Sequence, residues 1–268
     1  MPHELLDASE IDCWNRDSTT KFIGKLSPIV KRWFRSEVRN IERIPEGPAL
    51  TVSNHSGGMF TPDPLILGAQ YYQTFGYDRP LYILAHNTVM DGPQKAKFLR
   101  LGVVHASREN ASAALRSGAT VLVFPGGDYD SYRPSSAANV IDFNGRTGYV
   151  TTAIEAGVPI VPTVSVGAQH SQLFLTRGTG VAKRLKLDER LRLKILPVSV
   201  GFPFGVSVIL PPNLPLPTKI TTQVLEPIDI EATFGTDPDV NEVDRYVRSV
   251  MQIALDALAA ERRFPIIG

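Results

Sequence analysis

The 268-residue sequence has little cysteine and no long apolar run, and each shortage excludes a class of protein. Cys13 is the only cysteine, so an internal disulfide is excluded, which fits a reducing compartment. The most apolar region, residues 201–217, is too short and too rich in proline to span a bilayer. Because the first residues have neither a basic start nor an apolar stretch, we expect no secretory signal.

An excess of either charge is also lacking. With 28 Lys and Arg against 27 Asp and Glu, the net charge of +1 predicts no attraction of the whole molecule to nucleic acid. The charges are unevenly placed, because basic residues concentrate in 21–43 and 177–194 and acidic residues in 226–244. Basic faces on a nearly neutral protein favour binding to an anionic surface.

The first basic stretch has the pattern of an amphipathic helix. Apolar residues recur there at helical spacing between Lys and Arg, and Ser27 followed by Pro28 predicts the start of a second leading helix. Such a helix is suited to a membrane surface, although a helix with its apolar side on the protein core has the same pattern. We predict an N-terminal helical segment, 1–45, that docks on a membrane, and one continuous domain, 46–268.

Beyond this segment, buried strands alternate with helices, which predicts an α/β fold. The predicted strands are 49–53, 81–85, 102–106, 120–124, 159–165, 205–210 and 219–227. The predicted helices are 64–72, 92–101, 108–117, 147–156 and 240–262. Since no linker rich in Pro, Gly or Ser divides them, we expect a single domain with a mostly parallel central sheet flanked by helices.

Asn54 and His55 directly follow the first of these strands, at a sheet edge where loops carry function. Gly57 and Gly58 allow a tight backbone turn there, and Asp63 precedes a proline at the predicted start of a helix. One interpretation is that Asp63 only caps this helix and that His55 is a polar strand end. The other is that the Asp63 carboxylate holds His55 in one tautomer, as a catalytic base requires.

Four sequence blocks follow one another along the chain: Asn54-His55 with Asp63, Gly102 with Arg108 six residues later, Phe124-Pro125-Gly126-Gly127 after a buried strand, and the apolar run 158–162. In this order they resemble the glycerolipid acyltransferases of the lysophosphatidate acyltransferase (PlsC-like) family. The resemblance covers roughly residues 30–225. It implies the PlsC-like fold and transfer of an acyl group from a thioester, usually acyl-CoA, to a hydroxyl of a glycerol-based lipid.

Two features depart from the family pattern. Seven residues separate His55 from Asp63, where the family usually has four. Gly126 stands where the family has a Glu associated with acceptor binding, so either Asp128 takes over part of that role or the acceptor differs. The segments NHSGG and FPGGDYDSYRP resemble the diacylglycerol-acyltransferase-like branch of the family more than its lysophosphatidate enzymes.

The resemblance implies a role for each matched residue. His55 is the general base on the acceptor hydroxyl, an effect worth roughly a hundred- to ten-thousand-fold, and Asp63 orients it. Because the sequence has no Gly-x-Ser-x-Gly elbow, we expect direct transfer without an acyl-enzyme, with acyl-CoA as co-substrate and neither metal nor cofactor. The expected substrate-binding residues are Asn54, Arg108, Phe124, Pro125, Gly126, Gly127, Asp128 and Arg133.

The two arginines are the candidate cations for a phosphorylated acceptor, although a surface role also explains Arg108 and a tight turn also explains the glycines. We therefore expect a lysophospholipid of the 1-acylglycerol-3-phosphate type, in phospholipid biosynthesis. A neutral mono- or diacylglycerol or a glycolipid is the alternative, because Gly126 replaces the Glu. A metal-dependent phosphoesterase and a non-catalytic lipid-binding protein are the rival classes. We expect a cytoplasmic protein, peripheral on the anionic inner face of the cell membrane, with no nucleic-acid partner.

Overall fold

The structure, a computed structural model, describes residues 9–186, 195–208, 211–264 and 266–267. Part of the basic stretch 177–194 and the end of the predicted strand 205–210 lie outside the described residues. The helices are α1 (Arg16–Trp33), α2 (Asp63–Phe75), α3 (Asn87–Met90), α4 (Lys95–Arg100), α5 (Arg108–Arg116), α6 (Gly127–Ser131), α7 (Gly148–Ala156), α8 (Thr179–Arg184), α9 (Ile230–Phe234) and α10 (Val240–Ala260).

The strands form two sheets. They are β1 (Glu37–Arg39), β2 (Ala49–Ser53), β3 (Leu81–Ala85), β4 (Val103–His105), β5 (Thr120–Val123), β6 (Ile160–Val166), β7 (Leu173–Thr176), β8 (Val198–Gly201), β9 (Gly205–Val208) and β10 (Thr221–Val224). The main sheet has seven strands in the order β1-β10-β6-β2-β5-β3-β4. Each of its pairs is parallel except β10 with β6. The second sheet is antiparallel, in the order β7-β8-β9.

Helices cover both faces of the main sheet, because its strands are apolar on both sides. All five residues of β2 are buried, and neighbours along it enter different apolar clusters. Leu50 and Val52 pack with α5, α7 and α10, whereas Ala49 packs with α1 and α2. The prediction of a single α/β domain with a mostly parallel central sheet flanked by helices is therefore confirmed.

The prediction that a helix begins at Ser27-Pro28 is wrong, because α1 continues through both residues from Asn15. The Asn15 side chain accepts a hydrogen bond from the Ser18 N–H at 2.9 Å and so caps the helix. Ile23 and Val30, on either side of the proline, are buried in the protein. Their packing keeps the helix continuous although a proline inside a helix removes one backbone hydrogen bond.

The remaining differences concern the ends of elements. The predicted helix 92–101 is the shorter helix α4, and the structure adds α3 before it and the strands β1, β7 and β8, which the sequence pattern did not indicate. The apolar side of α1 faces the protein at Ile23 and Val30, whereas Ile29 and Trp33 are exposed. Membrane docking by residues 1–45 stays a prediction. Each helix in the described part of the chain is too short or too polar to cross a membrane.

Candidate active site

The predicted site residues lie on one edge of the main sheet. Because β2, β3, β4 and β5 are parallel, the loops that follow them meet at their carboxyl ends, where α/β sheets ordinarily bind ligands. His55 follows β2, Phe124 follows β5, and Arg108 follows β4 at the sheet margin. The His55 and Phe124 rings are in contact, with centroids 4.3 Å apart. His55, Phe124 and Arg108, from the first three blocks, are therefore brought to a common edge, whereas the fourth block, 158–162, lies at the start of β6.

His55 and Asp63 are neighbours despite the seven residues between them. The Nδ1 atom of His55 lies 3.5 Å from Oδ2 of Asp63, an ion-pair distance that is long for a strong hydrogen bond. The His55 side chain is 17% exposed and that of Asp63 is 2% exposed, so the ring reaches the surface while the carboxylate beneath it is sealed. Asp63 is the first residue of α2 and follows its N-cap, Pro62, rather than being the cap itself.

The backbone of residues 55–58 is held by three side chains and one carbonyl from three other parts of the chain. The N–H of His55 donates to Asp130 at 2.6 Å, and the next N–H donates to Asp63 at 2.8 Å. The N–H of Gly57 donates to the Gln169 side chain at 3.4 Å, and that of Gly58 to the Ser131 carbonyl at 3.0 Å. Four successive N–H groups are thus bonded outside any helix or strand, which fixes the loop that carries the imidazole.

Gly57 and Gly58 make the longer loop possible. Both have positive φ angles, +92° and +72°, which residues with a Cβ rarely adopt. A Cβ on Gly58 would also lie 2.9 Å from the ring of Phe174 in β7. The two glycines therefore provide both the turn that returns Asp63 to His55 and the space for β7 above it.

Asn54 is buried and connects two strands. Its amide nitrogen donates to the Ser165 carbonyl at 2.9 Å, and its amide oxygen accepts from the Ser165 N–H at 2.8 Å. Ser165 lies in β6, beside β2 in the sheet. Asn54 thus fixes the end of β2, immediately before His55, with both ends of its amide bonded to protein backbone. Its predicted contact with substrate stays a prediction.

Asp130 and Arg133 form a buried ion pair behind the His55 loop. The same Arg133 nitrogen, Nη1, also donates to the Val140 carbonyl at 2.8 Å. Burial raises the pKa of Asp130 from 3.8 to about 6, against the opposing effects of the Arg133 charge and the His55 N–H. At neutral pH the carboxylate is therefore charged. The Arg133 guanidinium is buried with it and forms the ion pair beneath the loop.

Asp130 also explains why position 126 is glycine. A Cβ built on Gly126 would overlap the Asp130 side chain, including an approach of 2.9 Å to its Cγ. A larger residue is therefore excluded at 126, and the buried carboxylate of this segment comes from 130, one helical turn later. Asp128, the substitute that the sequence suggested, is partly exposed and pairs with Arg146 at 3.0 Å. Arg146 also donates to the Gly126 carbonyl at 2.8 Å.

Sequence patterns did not indicate Asp130, Gln169 or Arg146. For Asp130 the available signal was its position four residues after Gly126, which places both on one side of a helical turn. Gln169 and Arg146 are distant in sequence from the residues that they contact, so no local spacing marks them. Arg108 is exposed at the first residue of α5. Within the described ranges, no three His, Cys, Asp or Glu side chains are grouped as metal ligands would be.

Comparison with known proteins found a matching family model and a solved structure with a similar fold. Residues 35–166 match the family model described as Acyltransferase. The crystal structure of the 1-acyl-sn-glycerophosphate (LPA) acyltransferase PlsC from Thermotoga maritima has a similar fold, with a TM-score of 0.56. It is 22% identical, and the match covers 91% of this chain and 81% of that chain.

Two relatives have longer chains. An uncharacterized protein of Mycobacterium tuberculosis is 33% identical over 245 residues, which are 89% of this chain and 65% of that protein. A Gallus gallus protein named "DGAT1/2-independent enzyme synthesizing storage lipids" is 30% identical over 194 residues, which are 72% of this chain and 56% of that protein. This chain therefore spans less than two thirds of the length of either relative.

Replacing Gly126 tests whether Asp130 occupies the space beside it. Gly126 has a φ of −65°, so the strain in Gly126→Ala comes from overlap with Asp130 alone. We expect a loss of about 1–3 kcal/mol in the free energy of unfolding, measured in urea. Gly148→Ala is the matched control, because a Cβ there meets nothing within 4 Å. Equal stabilities of the two variants would contradict the overlap.

The raised pKa of Asp130 predicts a pH dependence of stability. Between pH 4 and 6 the folded state keeps the Asp130 proton that the unfolded state releases, so this residue contributes less stability as the pH rises. We therefore expect the free energy of unfolding of the protein, minus that of Asp130→Asn, to fall from pH 4 to about 6 and then level off. Urea unfolding across this range measures the difference, and a flat difference would show an ordinary pKa.

Proposed function

We propose that this chain, whose residues 35–166 match the family model described as Acyltransferase, transfers a fatty acyl group from acyl-CoA to a glycerolipid hydroxyl. The observation that carries the proposal is the surface-reaching ring of His55 beside the sealed carboxylate of Asp63. Acyl transfer to an alcohol needs a base, since a hydroxyl with a pKa far above neutrality attacks a thioester slowly while it keeps its proton.

The orientation of His55 supports a separate role for each of its two nitrogens. Nδ1 faces Asp63, so a proton on Nδ1 leaves the lone pair of Nε2 to accept the proton of the acceptor hydroxyl. The acceptor oxygen then bonds to the thioester carbon, and the CoA sulfur leaves with its electron pair. A thiolate is a moderate leaving group because thiols have a pKa of about 8.5. The protonated ring is stabilised by Asp63 and returns the proton to that sulfur.

Asp130 supports this chemistry as a positioning residue. Its carboxylate holds the His55 backbone N–H at 2.6 Å and is itself held by Arg133. Small displacements of a catalytic group lower the rate strongly. We therefore assign to Asp130 the placement of the base, and to Phe124, whose ring contacts His55, the restriction of its rotation.

The first acceptor that we propose is a lysophospholipid of the 1-acylglycerol-3-phosphate type. Arg108 is exposed at the start of α5, where its guanidinium favours a phosphate. Three strand spacings, about 14 Å, separate β4 from β2, so Arg108 is placed for the polar end of the acceptor rather than for its reacting hydroxyl.

A neutral mono- or diacylglycerol, or a glycolipid, is the second candidate acceptor. Gly126 removes the family Glu, and the carboxylate nearest to it, Asp130, is buried and bonded to Arg133 and the His55 backbone. The chicken relative whose name refers to storage lipids supports the same candidate. For either acceptor we propose a peripheral enzyme on the cytoplasmic face of the cell membrane, without metal or cofactor.

Removing the imidazole tests the base. We expect His55→Ala to lower kcat by about a hundred- to ten-thousand-fold, because the acceptor hydroxyl then keeps its proton during attack. Product formed from acyl-CoA and a panel of lysophospholipids and neutral glycerides is measured by mass spectrometry, with circular dichroism to verify folding. The control is His86→Ala, an exposed histidine after β3. Full activity in His55→Ala would reject general-base catalysis.

Substituting Arg108 separates the two acceptors. For a phosphorylated acceptor we expect Arg108→Gln to raise KM by about tenfold or more, because a charge-assisted hydrogen bond is lost, and to leave neutral acceptors unaffected. Arg116→Gln, at the exposed far end of the same helix, is the control. Product from neutral acceptors alone, in the unaltered protein, would establish the second candidate instead.

A further inference from the structure

In β8 and β9 of the small sheet, serines are buried and valines are partly or largely exposed, whereas in β7 Phe174 is buried and its neighbours are exposed. In β9, Ser207 is 4% exposed whereas its neighbours Val206 and Val208 are 68% and 42% exposed. In β7, Leu173 and Leu175 are each about half exposed. Antiparallel sheets with one face in water ordinarily show the reverse pattern, polar outside and apolar inside. The outer side of this sheet is therefore built for an apolar environment.

The outward residues form one continuous patch. The register places Leu173 opposite Val200 and Val200 opposite Val206, and it places Val198 opposite Val208. Cross-strand partners lie in direct contact on one side of a sheet. We call this patch the outer face and define it by its six residues: Leu173, Leu175, Val198, Val200, Val206 and Val208.

The patch continues past the β8–β9 turn to the end of α1. Phe202 and Phe204, in that turn, are 65% and 54% exposed. The Leu214 N–H donates to the Phe202 carbonyl at 2.7 Å, and the Trp33 indole N–H donates to the Pro215 carbonyl at 3.0 Å. Leu214 and Trp33 are themselves exposed. Large exposed apolar side chains thus extend from the small sheet to the carboxyl end of α1.

Among the described residues of the small sheet and of the segments next to it along the chain, the charged side chains are all basic. Lys183, Arg184 and Lys186 are exposed on α8 and just after it. This helix follows β7. The Leu196 N–H, just before β8, donates to the carbonyl of Arg177, just before the helix, at 2.9 Å, so the two starts are adjacent. The described residues 171–186, 195–208 and 211–225 contain no Asp or Glu. A cationic rim beside an apolar patch is complementary to anionic headgroups above acyl chains.

The covered side of the same sheet lies over the candidate active site. The Phe174 ring, in β7, packs against Gly58 in the His55 loop. The Arg177 guanidinium stacks on the Tyr129 ring at 3.8 Å and donates to the Tyr129 carbonyl at 2.7 Å, in the helix that begins at Gly127. The small sheet is therefore in contact with two of the loops that form the site.

From these contacts we propose that the outer face, with Phe202 and Phe204, binds an anionic lipid bilayer and so places the His55 loop beside the membrane. The proposal rests on the proposed function for its purpose, since a lipid acceptor has to reach His55 from a bilayer. The occupant is a bilayer rather than a protein because the patch combines aliphatic and aromatic side chains with a rim of one charge.

Vesicle flotation tests the apolar part of the face. The probes are vesicles of phosphatidylcholine alone and vesicles in which phosphatidylglycerol replaces one quarter of it. We expect the protein to float with the anionic vesicles, and Leu173→Thr/Val206→Thr/Val208→Thr to bind about tenfold more weakly or worse. These exposed β-branched replacements preserve strand propensity. Ile253→Thr, which removes a 72% exposed side chain on α10, is the control and keeps full binding.

A second set of variants tests the cationic rim against the other basic surface of the chain. We expect Lys183→Gln/Arg184→Gln/Lys186→Gln to weaken binding to the anionic vesicles by about tenfold or more. The matched control is Lys21→Gln/Lys25→Gln/Lys97→Gln, which removes three charges from a groove between α1 and α4. Binding lost in the control and kept in the rim variant would overturn the proposal and assign docking to α1.

Two further results separate this proposal from the proposed function. An acceptor with a short acyl chain, dissolved as a monomer, reports catalysis without a membrane. We expect the outer-face variant to keep turnover of that acceptor and to lose turnover of the long-chain acceptor in vesicles, whereas His55→Ala loses both. Absence of turnover in every assay with vesicle binding intact would reject the enzyme and keep the docking face. Wild-type protein that stays unbound, or that dimerises through the outer face in light scattering, would overturn the docking face.

Discussion

The loop after β2 leaves four successive backbone N–H groups without helix or strand partners, and each needs an acceptor from elsewhere in the chain. Those acceptors are Asp130, Asp63, Gln169 and the carbonyl of Ser131. They lie on segments that follow or precede different strands, so the position of His55 depends on the whole carboxyl edge of the sheet. A backbone held in this way places an imidazole with less mobility than a free loop allows, which general-base catalysis requires.

The same constraint explains both departures from the family pattern. The longer spacing between His55 and Asp63 is accommodated by two glycines with positive φ, and the missing Glu by Asp130 in the space beside Gly126. Burial of Asp130 is unfavourable for its charge, and the Arg133 guanidinium together with the His55 N–H offsets part of that cost. The altered motif therefore keeps a carboxylate against the His55 loop but takes it from another position.

The small sheet connects this site to the environment of its proposed substrates. Its covered side contacts the loop at Gly58, and its outer face is apolar where an antiparallel sheet facing water is ordinarily polar. α1, whose basic pattern predicted a membrane contact, buries Ile23 and Val30 against the protein and exposes Ile29 and Trp33. In the proposed docking, lipid access involves the outer face of the same small sheet whose strand β7 packs against the His55 loop.

The sequence by itself determined the α/β class, most strands of the main sheet and the order of the four blocks, because alternation and turn residues are local properties of the chain. It did not indicate β7 or β8, and it divided α1 at Pro28, since the packing that keeps this helix continuous involves distant residues. Only the tertiary structure decided that Asp63 returns to His55, that Asp130 lies beside Gly126 and accepts from the His55 N–H, and that Gln169 holds the loop. Those contacts join segments up to 112 positions apart, and no local spacing encodes a hydrogen bond over such a distance.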